Sequence, residues 1–135
     1  MIDVDRRELV GRWATGCGDT HGIPALDEQR GLILAGCARD GKAVLLDVDR
    51  NGTRLGTYSV EGDEALMAHA PSGHFYLRAD PGPEIATLEA TPQGDLKPIR
   101  MATSPEAGHC LTADDLGHYW TCDQSGGKLL RYAAP

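Results

Sequence analysis

The sequence has no long hydrophobic run. Its longest apolar stretches, residues 32–35 and 43–46, are far shorter than the roughly 20 residues that a membrane-spanning helix needs. Residues 1–5 are acidic rather than apolar, so they do not resemble a secretory signal stretch. From these residues alone we expect a soluble, cytoplasmic chain that makes no membrane contact.

The sequence is also short of positive charge. Its 13 lysine and arginine residues are outnumbered by 20 aspartate and glutamate residues, which gives a formal net charge of −7. A surface of this sign repels phosphate backbones and anionic lipids. We therefore expect no nucleic-acid partner.

The motifs that identify several enzyme classes are missing. The sequence contains no G-x-S-x-G nucleophile elbow, no glycine-rich phosphate loop and no H-E-x-x-H metal motif. No enzyme class is therefore predicted from a motif, and we expect a non-enzymatic protein without a cofactor.

Cysteine is scarce. The chain has four: Cys17, Cys37, Cys110 and Cys122. None belongs to a C-x-x-C pair, which removes the usual signs of zinc ribbons, thioredoxin-like sites and c-type haem sites. Four cysteines are also too few for a disulfide scaffold of this length. We expect at least three of them to be buried, reduced thiols that pack as small hydrophobic side chains.

Glycine and proline, by contrast, are abundant. The 135 residues include 17 glycines and 8 prolines, which is heavy for a helical bundle. A hydrophobic fraction of 41% is enough to build a core, and the length suits one small domain. These values predict a single, turn-rich, all-β domain.

The sequence repeats itself with a period of about 43 residues. Residues 2–5 read Ile-Asp-Val-Asp, and residues 46–49 read Leu-Asp-Val-Asp. A second series of similar segments keeps the same period; it lies at residues 26–34, 69–77 and 113–120. Three copies of one unit therefore account for nearly the whole chain.

Turn sequences divide each unit into short segments. Asp40-Gly41 and Asn51-Gly52 provide the positive φ that two-residue hairpins need, and similar turns recur in the other units. The segments between the turns have about four to seven residues and are rich in β-branched, leucine and aromatic residues, so they are too short for helices. Each unit is predicted to be a four-stranded antiparallel meander.

A meander at this period is typical of a β-propeller blade, which buries its apolar faces against neighbouring blades. Pro24 and Pro98 agree with this prediction. They fall in the first and last strands of their units, where a missing N–H interrupts no central ladder. A β-sandwich is the alternative, but a sandwich would not require threefold self-similarity.

Three motifs carry a resemblance to a known family. They are Thr20-His21-Gly22-Ile23 followed by Gly31-Leu32-Ile33-Leu34, then Asp40-Gly41-Lys42 followed by Val44-Leu45-Leu46-Asp47, and Gly108-His109-Cys110-Leu111. Through these repeats the chain resembles the YVTN or YncE-like β-propellers, which are similar in architecture to lactonase-type and NHL propellers. The resemblance implies the blade fold and, because such propellers commonly have about seven blades, an incomplete ring. Relatives of this type are often exported.

The three blades are expected at residues 16–60, 61–103 and 104–135. Residues 2–15 include a surplus strand at residues 9–13, whereas the last unit lacks its fourth strand. Two chains would give six blades, within the usual range of about 4–8. We therefore predict a head-to-tail homodimer in which each N-terminal strand completes the partner's last blade. The alternative is that the chain is part of a longer propeller.

Candidate ligand-binding residues occupy one column of the repeat. His21, Glu64 and His109 stand five or six residues before the same turn position in their units. In a propeller, the loops that enter the innermost strands converge on the channel. Asp63 is added as a fourth candidate because it precedes Glu64. These histidines could also be structural, hydrogen-bonded to the backbone or to a nearby aspartate.

Imidazole and carboxylate groups can bind a polar ligand, hold a divalent metal or exchange protons near neutral pH. We predict a binding or scaffold module that holds a small polar ligand or a protein at the channel mouth. The alternative function is a lactonase-like hydrolase or isomerase that uses a divalent metal at the same residues.

The remaining histidines and large aromatic residues are predicted to be structural. Surface positions are expected for His69, His74 and His118, and positions between blades for Trp13, Tyr76, Tyr119 and Trp120.

Overall fold

The protein is built from antiparallel β-strands. The computed structural model describes all 135 residues and holds no helix that is long and apolar enough to span a membrane. An N-terminal hairpin pairs β1 (Ile2–Asp3) with β2 (Glu8–Leu9). Sheet I contains β3 (Thr20–Asp27), β4 (Leu32–Cys37), β5 (Lys42–Asp47) and β6 (Thr53–Ser59).

Two further sheets follow along the chain. Sheet II contains β7 (Glu64–His69), β8 (His74–Asp80), β9 (Glu84–Ala90) and β10 (Leu96–Thr103). Sheet III has three strands, β11 (Leu111–Ala113), β12 (His118–Asp123) and β13 (Lys128–Ala133). Each sheet pairs its strands in chain order, as a meander does, and the prediction of an all-β fold is confirmed.

Tight turns fix the register of these meanders. The loop between β5 and β6 spans residues 48–52, so it is longer than the predicted two-residue hairpin. Within it, Asn51 and Gly52 have φ values of 54° and 70°, in the left-handed region that asparagine and glycine tolerate. The two predicted edge prolines, Pro24 and Pro98, lie in the edge strands β3 and β10, each at a shift in strand register. A strand edge tolerates both the missing N–H and the irregularity.

Sheets I and II each bury one apolar face against the other. Their first strands, β3 and β7, pack side by side, and β11 packs beside β7 in turn. Strand alternation sends every second side chain into this core, so small and large residues from both sheets interleave. The fully buried members are Leu34, Ala43, Leu45, Ala65, Phe75, Leu77, Ala79, Ala86 and Leu88.

Sheets II and III are joined through stacked tyrosines. The rings of Tyr76 and Tyr119 are fully buried with centroids 4.6 Å apart, and Tyr132 stacks on Tyr119 at 5.1 Å. Stacked aromatic pairs contribute beyond the area that they bury. Tyr76 and Tyr119 therefore lie between neighbouring sheets, as expected, whereas Trp120 points from the opposite face of β12.

A buried arginine also connects sheets II and III. Arg78 on β8 is fully buried and donates to the hydroxyl of Thr121 and, at 3.0 Å, to the carbonyl oxygen of Pro105. Burial lowers the pKa of Arg78 below its ordinary value, and the nearby carboxylate of Asp80 opposes this shift. The side chain thus holds the segment before β11 against sheet II.

The N-terminal residues differ from the predicted strand exchange arm. Of the predicted strand at residues 9–13 only Leu9 is in a strand, and that strand, β2, pairs within its own chain. The Met1 ammonium donates to the Gly11 carbonyl at 2.7 Å, which closes this hairpin. Trp13 packs on the turn at Gly52 and donates to Asn51 at 3.3 Å. The single chain therefore folds this segment back over sheet I, and its three sheets do not close into a ring.

The cysteines are paired, so the expectation of reduced thiols is wrong. Cys17 is bonded to Cys37, and Cys110 to Cys122, with Cα atoms 5.3 and 5.6 Å apart and no cysteine left free. Strand pairing explains the second bond: Leu111 lies opposite Thr121, which brings the preceding Cys110 opposite Cys122. Spacing along the chain carries no sign of this because the bonds join strands rather than a local loop motif.

The core between sheets I and II provides a stability test with a matched control. Leu77 is completely buried, whereas Leu116, in the turn before β12, is 77% exposed. Leu77→Ala should lower the free energy of unfolding by about 2–5 kcal/mol because it leaves a cavity. Leu116→Ala should change it by no more than about 0.5 kcal/mol. Urea denaturation followed by circular dichroism measures both values, and equal losses would contradict this packing.

Candidate functional site

Three of the predicted site residues meet where the first strands of the three sheets begin. His21 lies near the start of β3, Glu64 is the first residue of β7, and His109 comes shortly before β11. Because these strands lie side by side and start at the same edge, side chains that are about 43 residues apart along the sequence become neighbours. We refer to His21, Glu64 and His109 as the mouth triad.

The mouth triad is compact. Nε2 of His21 lies 3.3 Å from Oε2 of Glu64, and Nδ1 of His109 lies 3.8 Å from the same oxygen. The two imidazole rings meet edge to face with centroids 5.4 Å apart. One ligand atom from each of the three residues lies within 4.8 Å of the other two. A single carboxylate is therefore flanked by two imidazoles.

Close backbone packing brings His21 to this position. His21 pairs with Gly36 of β4, and a Cβ at Gly36 would lie 2.5 Å from Sδ of Met67 and 2.8 Å from the carbonyl oxygen of Ala65. Only glycine lets sheet I approach β7 this closely. Gly22 follows His21 with a φ of 73°, so the strand also turns at the site.

Asp80 is a fourth polar group at the site, and the sequence analysis missed it. Its Oδ2 lies 3.0 Å from Nδ1 of His109 and is hydrogen-bonded to it. Asp80 ends β8 directly opposite Glu64 on β7. The register of the β7–β8 hairpin is the signal that connects Asp80 with Glu64.

Asp63, by contrast, does not join the triad. Its side chain is exposed, and the residue lines an adjoining depression together with two other acidic residues, Glu61 and Glu106. No basic residue lines this depression. This depression is therefore negatively charged and favours cations, whereas a second depression, which includes His109, is lined by both Asp123 and Lys128.

The triad is partly open to solvent but contains one unsatisfied atom. The side chains of His21, Glu64 and His109 are 28%, 43% and 53% exposed, respectively. Nε2 of His21 is nevertheless buried and makes no hydrogen bond, although Glu64 is close. A buried polar atom of this kind usually has a partner. An incoming ligand could supply it.

A different set of ionic contacts lies at the opposite ends of the first strands. Asp27, at the end of β3, contacts Arg30 and also Nε2 of His69 at 3.3 Å. Arg30 in turn donates to the carbonyl oxygens of Gly73 and Ala90 in sheet II. Burial alone would raise the pKa of Asp27, but hydrogen bonds from Arg30 hold it below the ordinary value. These contacts hold sheets I and II together.

Two of the histidines that are predicted at the surface contact aspartates in the structure. His69 contacts Asp27, and His118 contacts Asp114. The side chain of His69 is only 13% exposed, and burial lowers its pKa although Asp27 opposes the shift. In sheet III, Nδ1 of His118 lies 3.1 Å from Asp114. His69 is thereby largely withdrawn from solvent, whereas the side chain of His118 stays 28% exposed while it contacts Asp114. His74 does lie on the surface, near Ser72.

Asp114 is the residue of sheet III that corresponds to Asp27. Burial would raise its pKa, but hydrogen bonds from the backbone of His118 and Leu116 and from the Trp120 indole lower it from 3.8 to about 2. These donors all stabilise the ionised carboxylate. The group thus holds the turn between β11 and β12 in its folded conformation.

Asp114 should make folding sensitive to acid. Its pKa is lower in the folded chain, so its contribution is complete above about pH 3.8 and is lost as the pH falls toward 2. The difference in unfolding free energy between the wild type and Asp114→Asn should therefore shrink over that interval. Urea denaturation across the interval measures it, with Asp115→Asn as the control for an equal loss of charge. A difference that stays constant with pH would contradict this role.

No protein-family model and no curated protein sequence matches the chain.

Proposed function

We propose that the chain is one half of a six-bladed β-propeller of the YVTN or YncE-like type, which binds a small, positively charged polar ligand at the mouth triad. The observation that carries this proposal is the meeting of His21, Glu64 and His109, from three separate repeats, at one edge of the sheets. Residues of three units converge in this way when each unit directs its first strand toward a common axis.

The arrangement of the sheets supports their description as blades. Sheets I, II and III follow one another face to face, with the first strands β3, β7 and β11 as neighbours. Asp27 and Asp114 also repeat one structural role, since each accepts hydrogen bonds from the turn that follows the first strand of its sheet.

The two outer sheet faces support closure by a second copy. The outward face of sheet I, with Ile33 and Leu46, lies under the N-terminal segment, and an apolar cavity of about 720 Å³ separates them. At the other end of the chain, Leu129 on the outward face of sheet III is 71% exposed. The exposed apolar face of a partner's sheet III, which carries Leu129, would cover this cavity.

The assembly is tested by the mass in solution. Light scattering after gel filtration at micromolar concentration should give about 29 kDa, twice the 14.4 kDa of one chain. Leu129→Asp should reduce this to one chain, because it adds a charge to the proposed interface. Leu116→Asp, at a turn outside that face and equally exposed, should remain a dimer. A single-chain mass for the wild type, or the same mass for both variants, would contradict the proposal.

The charge of the site indicates the chemistry of the ligand. Glu64 and Asp80 supply carboxylate oxygens, and the acidic depression with Asp63 extends the negative potential. Imidazole nitrogens add hydrogen-bond acceptors or donors, according to tautomer. Small cations and molecules rich in hydrogen-bond donors therefore fit the site better than anions.

Ligand class is tested with simple probes of opposite charge. Putrescine, a dication, should shift the nuclear magnetic resonance signals of His21, His109 and the residues beside Glu64 in chelator-treated protein, whereas citrate should not. Glu64→Gln should abolish the shifts because it removes the central charge while keeping the shape. Glu89→Gln, an equal change in charge on the exposed side of β9, should retain them. Shifts with citrate, or none with putrescine, would count against this binding site.

A lactonase-like hydrolase is the second candidate function, and it has a test of its own. His109 and Asp80 form a hydrogen-bonded pair that resembles a general base and its orienting carboxylate. Neither Cys110 nor Cys122 can act as a nucleophile beside this pair while they are bonded to each other. Turnover of gluconolactone that is lost in His109→Ala would favour the hydrolase over the binding module.

We also infer an oxidising compartment for the folded protein. Both disulfides tie a segment that precedes a first strand to the end of the second strand, in sheet I and in sheet III. Such bonds persist in secreted and other oxidising environments and are rare in the cytosol.

A further inference from the structure

We propose that the mouth triad is a binding site for one divalent transition-metal ion of the zinc type, held by His21, Glu64 and His109. This inference rests on the proposed function and deepens it, because it names the cation that the site takes. The ion would accept one nitrogen from each imidazole and one oxygen from the carboxylate.

The spacing of the ligand atoms fits such an ion. Zinc ligands of these types lie about 2.0–2.2 Å from the metal, so neighbouring ligands of a tetrahedral site are about 3.4 Å apart. Nε2 of His21 lies 3.3 Å from Oε2 of Glu64, and the three residues each place one ligand atom within 4.8 Å of the other two. Small side-chain rotations would complete the coordination, because all three residues are partly exposed.

The contact between His109 and Asp80 supplies a further feature of metal sites. Imidazoles that bind metals commonly hydrogen-bond a carboxylate through their other nitrogen, which fixes the ring and raises its basicity. Nδ1 of His109 lies 3.0 Å from Oδ2 of Asp80, so that bond leaves Nε2 available. Asp80 would therefore act as a positioning residue for the His109 ring.

The unsatisfied nitrogen of His21 points to the same conclusion. Its Nε2 is buried without a hydrogen bond, and it faces the one oxygen that His109 also approaches. Coordination would satisfy this nitrogen and neutralise part of the charge of Glu64 and Asp80.

The donor set selects the class of metal. Two imidazoles and one carboxylate suit zinc, cobalt, nickel and copper(II), whereas magnesium and calcium prefer all-oxygen sites. Thiolate ligation is excluded at this site while Cys110 remains in its disulfide. Three protein ligands in a half-exposed mouth leave a fourth position for water or a small ligand.

Metal binding is tested on the full chain, prepared without reductant and stripped with a chelator. Equilibrium dialysis against zinc should give about one zinc per chain by atomic spectroscopy. Glu64→Gln, His21→Ala and His109→Ala should each weaken binding at least about 10-fold, and Asp80→Asn about 10- to 100-fold. His74→Ala, which removes a partly exposed histidine at the opposite end of sheet II, should bind as the wild type does. Excess magnesium should not displace the zinc.

X-ray absorption and the fold of each variant complete the test. The zinc spectrum should show nitrogen and oxygen ligands with an imidazole signature, and circular dichroism should confirm that each variant is folded. Absence of binding, sulfur ligands, or equal zinc affinity in Glu64→Gln and the wild type would overturn the proposal. If zinc is not bound while the dimer and the putrescine shifts are observed, only this inference fails. If those two results also fail, the proposed function fails with it.

Discussion

The structure depends on the burial of one apolar face of each sheet against the next. A single four-stranded meander leaves apolar side chains exposed on both of its faces, and only a neighbouring sheet can cover them. In sheets I and II this cover is a core of small and branched residues centred on Leu34, Phe75 and Leu77. The position of every other feature, including the mouth triad, follows from how closely these two sheets approach.

The close approach of sheet I to sheet II depends on a position without a side chain as well as on the side chains of the core. Gly36 lets β4 lie against the chain of Ala65 and Met67, and this brings His21 within reach of Glu64. Arg78 does the same between sheets II and III by hydrogen bonding the segment that carries His109. The site is therefore a product of two sheet interfaces, and neither interface alone would assemble it.

Much of this organisation can be predicted from the sequence, because the repeat conserves residue types at corresponding positions as well as a constant period. The strand content, the turns and the column of His21, Glu64 and His109 follow from the period and from turn residues with fixed backbone requirements. Asp80 was missed because it belongs to a second strand, so only hairpin register connects it with Glu64. The same register places Cys110 opposite Cys122, which chain spacing alone could not indicate.

Other features cannot be predicted from the sequence, because they depend on which face of a strand packs against a neighbouring sheet. His69 is predicted to face solvent from a strand. Its strand, β7, instead lies between the first strands of sheets I and III, and its ring contacts Asp27. The N-terminal segment is predicted to extend as a strand, but it folds back over sheet I. There the Trp13 ring packs on Gly52, which has no side chain to block it. Both outcomes follow from tertiary contacts rather than local preference.

The buried guanidinium of Arg78 has one more consequence. It lies beneath the loop that bears His109, and its only partners are neutral oxygens from two sheets and that loop. The loop is therefore anchored from below by a residue that no solvent molecule reaches. A sequence change at this buried position would shift the His109 imidazole above it, so the geometry of the mouth triad is coupled to packing in the interior.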